Sequence, residues 1–280
     1  MICANASFLR NNKICELCVN KKLPWTGIKY SCYRNSFIES ALVTGITSFH
    51  KIIKTWNHYI SQYILLTEFA KDKMLHSSLD LNEEKISVIP NFIPDSKAVL
   101  EKKEFFLYVG RISKEKGVNI LVDAFANLKS EKILIVGEGP EKANLELLSL
   151  HNSNINFMGK KSKSEVLDLM QQCKALIFPS ICYEGLPFTI LEAFASGTPV
   201  IASDIGAMTH LITNDYNGLH FTVNNPEDLQ HCISRFNNLS VEEKLKLAAR
   251  SRNSYETKYH PKIYYNAIIK VYTKALEENK

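Results

Sequence analysis

Short, mostly apolar runs recur from about residue 105 onward, each closed by a glycine, a proline or a polar loop. Phe105 to Val109, Lys132 to Val136, Ile155 to Met158, Ala175 to Phe178, Pro199 to Ala202 and Gly218 to Val223 follow this rule. Such runs predict parallel strands buried on both faces. Helical patterns lie between them. One follows Gly117 and runs to about Lys129. A second opens at Ser164 and Glu165 and reaches Met170. A third opens at Pro226, with Glu227 and Asp228 in its first turn, where acids suit the helix dipole. Strand and helix in alternation predict an α/β domain with a doubly wound parallel sheet.

The first 95 residues carry a weaker version of the same pattern. Residues 36–58 read as a helix with an apolar face of Phe37, Ala41, Ile52 and Trp56. Tyr63 to Thr67 predicts a strand, Glu68 to His76 a helix, and Ile86 to Ile89 another strand. That order matches the closing part of a Rossmann-like domain. Ser96 to Glu104 is charged and irregular, as a linker would be. From Val241 the chain is helical, with a break near His260-Pro261 and a last helix from Lys262 to about Leu276. The expected organisation is a partial Rossmann-like domain over 1–95, a linker over 96–104, a second Rossmann-like domain over 105–258, and a terminal segment over 259–280.

The stretch from Phe178 to Ala202 holds the clearest chemistry. It reads as strand, loop, helix, strand, with Pro187 at the first helical position and Gly197 just past the helix end. The helix is apolar nearly all round, and its one charge is Glu192. The residues three and four positions from Glu192 are Phe188, Thr189, Ala195 and Ser196, so no basic residue of the helix pairs with it. Glu184 lies in the loop just before. Carboxylates in such a setting accept hydrogen bonds from hydroxyls, and the free amides at Leu186 to Thr189 form an anion site. Hydroxyls together with phosphate describe a nucleotide-sugar. Solvated surface acids are the alternative, but so apolar a helix should be buried, and unpaired buried acids are costly.

Phe105 to Val109 is followed by Gly110-Arg-Ile-Ser-Lys-Glu-Lys-Gly117. Doubly wound sheets bind ligands at the carboxyl ends of their strands, which places Arg111 and Lys116 to grip phosphates. Lys114 competes for the role, and solvated loop charge is the plainer alternative. Gly137-Glu-Gly-Pro140 is not a dinucleotide fingerprint, since the third glycine of that pattern would fall at Lys142. There is no Asp-x-Asp for a divalent metal, and no nucleophile-elbow arrangement of serine, histidine and aspartate is evident.

Glu184-Gly-Leu-Pro-Phe-Thr-Ile-Leu-Glu192, followed by Ala-Phe-Ala-Ser-Gly-Thr-Pro-Val-Ile-Ala, resembles the paired-glutamate motif of family 4 glycosyltransferases. Those are retaining enzymes of the GT-B fold, built from two Rossmann-like domains with the active site between them. The resemblance implies that Gly110, Arg111 and Lys116 belong to a diphosphate-binding loop and that Gly137 lies beside the nucleotide. It implies that the loop at Gly159 and Lys160 meets the base, mostly through backbone groups. Glu184, Gly185, Leu186, Pro187 and Phe188 would then face the donor sugar and diphosphate, and Glu192 the ribose. Arg111 and Lys116 would stabilise the leaving diphosphate, with no protein general base and no cofactor. The terminal helix would cross back to the first domain. In the family a glycine-rich loop and a cleft histidine precede the part seen here, which implies that the amino-terminal domain lacks its first strands. An open sheet edge, exposed apolar surface and weak transfer should follow.

Composition adds charge and cysteine. The chain has 280 residues, is 45% hydrophobic and 22% charged, and has a net charge of +5. Residues 1–60 hold eight Lys and Arg against Glu16 and Glu39, a net of +6, which leaves −1 for the other 220. A basic amino-terminal part suits an anionic membrane face or a pyrophosphate-bearing acceptor; simple solubility charge would look the same. No apolar run is long enough to span a bilayer and no signal peptide is evident, pointing to a cytoplasmic protein, peripheral at most. Cys3, Cys15, Cys18 and Cys32 crowd the first segment, and Cys15-x-x-Cys18 has metal-ligand spacing. A structural zinc on four thiolates is one reading, and free buried thiols the other.

The expected function is transfer of a sugar from a nucleotide-diphosphate sugar to a saccharide or lipid-linked hydroxyl, in polysaccharide or lipopolysaccharide synthesis. Nucleic acid is not an expected partner. A nucleotide-sugar epimerase or phosphorylase on the same fold, or a nucleotide-binding chain without turnover, would share these motifs.

Overall fold

The structure is a computed structural model that describes residues 2–96 and 102–278. It forms two compact units, Met1–Asn91 with Tyr264–Lys280, and Phe92–Ile263. The division falls at Asn91–Phe92, ahead of the expected linker. Beyond it, Ile93, Asp95 and Ser96 are already tied to the second unit. Tyr255 donates its hydroxyl to the Ile93 carbonyl (3.2 Å), and Arg252 reaches the Asp95 carboxylate (2.8 Å) and the Ser96 carbonyl (2.7 Å). Most of the expected linker, residues 97–101, lies outside the described residues.

In the first unit, strands β1 (Leu9–Arg10) and β2 (Lys13–Ile14) form a small antiparallel hairpin. Helices α1 (Trp25–Lys29), α2 (Phe37–Ile52) and α3 (Thr55–Tyr59) follow, then β3 (Tyr63–Leu65), α4 (Glu68–Leu75) and β4 (Ile86–Val88). β3 and β4 pair in parallel. The expected helix over 36–58 is two helices, because Lys54 takes a left-handed conformation between α2 and α3.

α2 turns much of its apolar face to solvent. It buries Ser40, Thr44, Ser48 and Lys51 and exposes Phe37, Ile38, Leu42, Ile46, Phe49 and Ile52. Two of the four buried polar side chains are hydrogen-bonded there, and Thr44 Oγ1 and Ser48 Oγ are buried without a hydrogen-bond partner among the described residues. Ser40 Oγ accepts from the Tyr33 amide (2.9 Å), and Lys51 Nζ donates to the Lys21 carbonyl and to Ser78 Oγ, both at 3.0 Å.

The second unit is a six-stranded parallel sheet. Its strands are β5 (Phe106–Val109), β6 (Ile133–Val136), β7 (Ile155–Gly159), β8 (Leu176–Phe178), β9 (Val200–Ser203) and β10 (Gly218–Phe221). They lie in the order β10-β9-β8-β5-β6-β7. The helices are α5 (Val118–Asn127), α6 (Lys142–Leu148), α7 (Lys163–Gln172), α8 (Phe188–Ala195), α9 (Met208–Leu211), α10 (Pro226–Asn238) and α11 (Val241–Lys258). α7 starts on a capping box, with Ser162 and Glu165 each bonded to the other's backbone amide. Pro187 sits at the N-cap of α8, one position ahead of the first helical residue.

The core packs Phe106, Ile120, Phe125, Ile133, Ile177, Ile201, Phe221 and Phe236 between sheet and helices. Strand order reverses between β5 and β8, so the loops after these two strands diverge and leave a crevice at their carboxyl ends. Helix α12 (Pro261–Glu277) starts at the end of the second unit, and its remainder groups with the first. There Ile268 and Val271 pack on Ile89, and Lys274 Nζ donates to the Glu84 carbonyl (2.8 Å).

Candidate active site

The crevice at the reversal holds a cavity of about 280 Å³. Its walls come from the end of β5 and the loop after it (Tyr108 to Arg111, with Lys116), from Phe178 to Ser180 after β8, and from Glu184 and Leu186 to Thr189 at the start of α8.

Lys116 closes a 3₁₀ turn, and Gly117 ends it at φ +66°. A Cβ on Gly117 would stand 2.1 Å from the Pro179 carbonyl oxygen, so glycine is what lets this turn lie against the β8 loop. The turn is tied across by the Ile181 amide, which donates to the Glu115 carbonyl (3.0 Å). Gly137 works the same way on the other side. At φ +144° its Cβ position falls 1.9 Å from the Gly110 carbonyl oxygen. The loops after β5 and β6 are thus pressed backbone to backbone. Tyr108, buried in the wall, donates its hydroxyl to the Arg111 carbonyl (2.8 Å) and holds that loop in place. Burial, with Glu184 and Glu115 nearby, pushes the Tyr108 phenol far above its ordinary range, so it remains a donor.

Lys116 Nζ lies 2.6 Å from Glu184 Oε1, with both side chains mostly buried. The same oxygen accepts from Ser180 Oγ at 2.7 Å, and Cys182 Sγ approaches it at 3.8 Å. Burial raises the Cys182 thiol, which stays protonated beside the carboxylate. Arg111 is exposed at the mouth. Glu115 is turned away onto Ser113 Oγ (2.6 Å). Burial opposes its charge, but that bond together with Arg111 and Lys116 holds its carboxyl below the ordinary range.

Of the residues expected to bind a donor, Gly110, Arg111, Lys116, Glu184, Leu186, Pro187 and Phe188 line this one cavity. Gly137 touches it through Gly110, and the Gly137 amide donates to the Gly159 carbonyl (3.0 Å). Gly185 is exposed in the loop, and Lys160 is exposed beyond β7. Glu192 is half-buried one helical turn further along α8. Burial holds its carboxyl above the ordinary range, with Lys163 opposing. Sequence reasoning missed Tyr108 and Ser180 as wall residues. Ser180 had a usable signal, since it directly follows a strand end on the ligand side of the sheet.

The four amino-terminal cysteines also come together, in the first unit. Cys3, Cys15, Cys18 and Cys32 line a cavity of about 210 Å³ with Arg10 and Tyr30. A structural zinc and free thiols are the two readings of these cysteines. Among the described residues no group of three or more His, Cys, Asp or Glu is placed to hold a metal ion. Cys18 Sγ is engaged with Thr26 Oγ1 (3.2 Å), and burial raises the Cys32 thiol.

The sequence from residue 91 to 256 matches the family model "Glycosyl transferases group 1", more than half of the chain. The chain belongs to that family. It is 31% identical to an uncharacterized glycosyltransferase of Methanocaldococcus jannaschii over 206 residues, 71% of this chain and 57% of that protein. It is 28% identical to the N,N'-diacetylbacillosaminyl-diphospho-undecaprenol alpha-1,3-N-acetylgalactosaminyltransferase of Campylobacter jejuni over 255 residues, 83% of this chain and 64% of that protein. This glycosyltransferase-family chain therefore spans about 60% of the length of the two relatives. Its fold is the α/β GT-B class. It is similar to the Anabaena protein HepE, solved with UDP and glucose, at a TM-score of 0.68 and 16% identity, covering 84% of this chain and 73% of that one.

Proposed function

We propose that this chain is the donor-binding part of a family 4 retaining glycosyltransferase. It would move a sugar from a nucleotide-diphosphate sugar to a hydroxyl acceptor. The observation that carries this reading is the grouping, in one crevice, of two cations, a carboxylate and the amino-terminal end of α8. Arg111 and Lys116 bind the diphosphate and stabilise charge growing on it as the glycosidic bond breaks. The first amides of α8 add to that stabilisation. Glu184 accepts from donor-sugar hydroxyls near the reacting carbon, and Glu192 accepts from the ribose. A donor phosphate oxygen takes the acceptor proton on the face that the leaving group vacates, which retains configuration. The sugar is a hexose in this reading.

The acceptor is a saccharide or lipid-linked saccharide at the cytoplasmic face of a membrane. The Campylobacter relative's name, with its undecaprenol acceptor, supports this. So does α2, whose exposed Ile38, Leu42, Ile46 and Phe49 lie in the amino-terminal part that is net basic. Calorimetry with UDP-, GDP- and ADP-sugars tests the donor site. One of them should bind, and Arg111→Ala should weaken it about tenfold while leaving the bare nucleoside nearly unchanged, a loss of about 1.4 kcal/mol. Equal weakening of both would remove the diphosphate assignment. Sugar-product analysis with an acceptor separates transfer from epimerisation.

A further inference from the structure

Resting on the donor-site reading, we infer that Glu184 discriminates between the sugar-nucleotide and the spent nucleotide diphosphate by setting its charge against the diphosphate at Lys116. The geometry is specific. Glu184 Oε1 is 2.6 Å from Lys116 Nζ, and it is anchored on the far side by Ser180 Oγ at 2.7 Å. Ser180 is 1% exposed, and its carbonyl accepts from Ser203 Oγ (2.5 Å), so the anchor is built into the floor of the crevice. Glu184 cannot follow solvent away from Lys116 without breaking that bond.

A phosphate oxygen that accepts from the same ammonium comes to within about 4–5 Å of Glu184 Oε1 at ordinary hydrogen-bond lengths. Two anions then share one cation, and the carboxylate works against the diphosphate. A donor that still carries its sugar brings hydroxyls, which donate to the carboxylate and offset the repulsion. Spent nucleotide has no such hydroxyls and meets the repulsion uncompensated. Glu184 therefore weakens product more than donor and favours product release.

Neutralising Glu184 should then tighten binding of the ligands that lack a sugar, a gain that damage to the fold cannot produce. The test is calorimetry on the whole chain with pyrophosphate, UDP and UDP-glucose, comparing wild type, Glu184→Gln and Arg111→Ala. Glu184→Gln should bind pyrophosphate and UDP about tenfold more tightly. It should gain less for UDP-glucose or lose affinity, so that the preference for UDP-glucose over UDP falls. Arg111→Ala should weaken all three. If Glu184→Gln binds pyrophosphate and UDP no better than wild type while Arg111→Ala still weakens them, this inference fails and the donor site stands. If Arg111→Ala changes neither, or if neither pyrophosphate nor UDP binds any of the proteins and the same calorimetry with GDP and ADP is also blank, the donor-site reading itself is overturned.

Discussion

Gly117→Ala places a methyl group where the structure has no room for one. The residue has φ +66° and ψ +25°, a left-handed conformation that costs an L-residue about 1–2 kcal/mol. The new Cβ would also stand 2.1 Å from the Pro179 oxygen and 3.0 Å from the Pro179 carbonyl carbon, both backbone atoms that cannot rotate away. Relief requires the Lys114–Lys116 turn to move off the β8 loop. That opens the bond from the Ile181 amide to the Glu115 carbonyl, at about 1 kcal/mol. The sum is about 2–3 kcal/mol, which for a unit of this size lowers the melting temperature by about 5–10 °C. Because two units need not melt together, the measurement should follow the Phe92–Ile263 unit, by hydrogen exchange at β5 and β8 alongside the thermal scan. The same movement carries Lys116 away from Glu184, so donor binding should fall as well. Gly185→Ala is the matched control. Nothing lies within 4 Å of its Cβ position, and its stability should stay within about 0.5 kcal/mol of wild type. A Gly117→Ala protein that melts within a degree of wild type would refute the packing of the turn on β8.

Three further outcomes follow from named groups. Glu192→Gln should weaken ribose-bearing nucleotides yet stabilise the ligand-free protein at neutral pH. A carboxyl whose folded pKa lies above its unfolded value near 4.5 destabilises the fold once ionised, so the difference from wild type should close as pH falls through the folded value and vanish below 4.5, in denaturant melts run from pH 8 to 4. Among the described residues no group of three or more His, Cys, Asp or Glu is placed to hold a metal ion, so EDTA should leave the melting temperature unchanged; a drop of several degrees would support the four-thiolate zinc site. Leu42→Glu with Ile46→Glu, on a face already 63% and 52% exposed at those residues, should cut co-sedimentation with phosphatidylglycerol vesicles severalfold and leave the circular dichroism spectrum intact; undiminished co-sedimentation would remove α2 from the membrane reading.

Much of the second unit was legible in the residues, because its signals are local. An apolar run closed by proline or glycine marks a buried strand wherever it occurs, and every predicted strand from Phe105 onward is present. Arg111 follows β5 and Glu184 precedes α8, so their side of the sheet could be read from chain order alone. What chain order could not supply was contact between loops distant in sequence. The strand order that seats β5 beside β8, the backbone contact of Gly137 with Gly110, and the Ser180–Glu184–Lys116 chain all depend on side-by-side packing, which leaves no local trace. The amino-terminal unit shows the limit most plainly. The residue pattern over 36–58 marks an apolar face, but not whether that face is buried. Lys21, Tyr33 and Ser78 present backbone and hydroxyl groups to α2, and these are satisfied by Ser40 and Lys51 rather than by Leu42 or Ile46. Periodicity tells which residues share a face; only the neighbours that a face meets decide whether it is buried. For the cysteines, spacing marks four thiols as candidates for one site, but whether they share a cavity, as they do here, belongs to the tertiary structure.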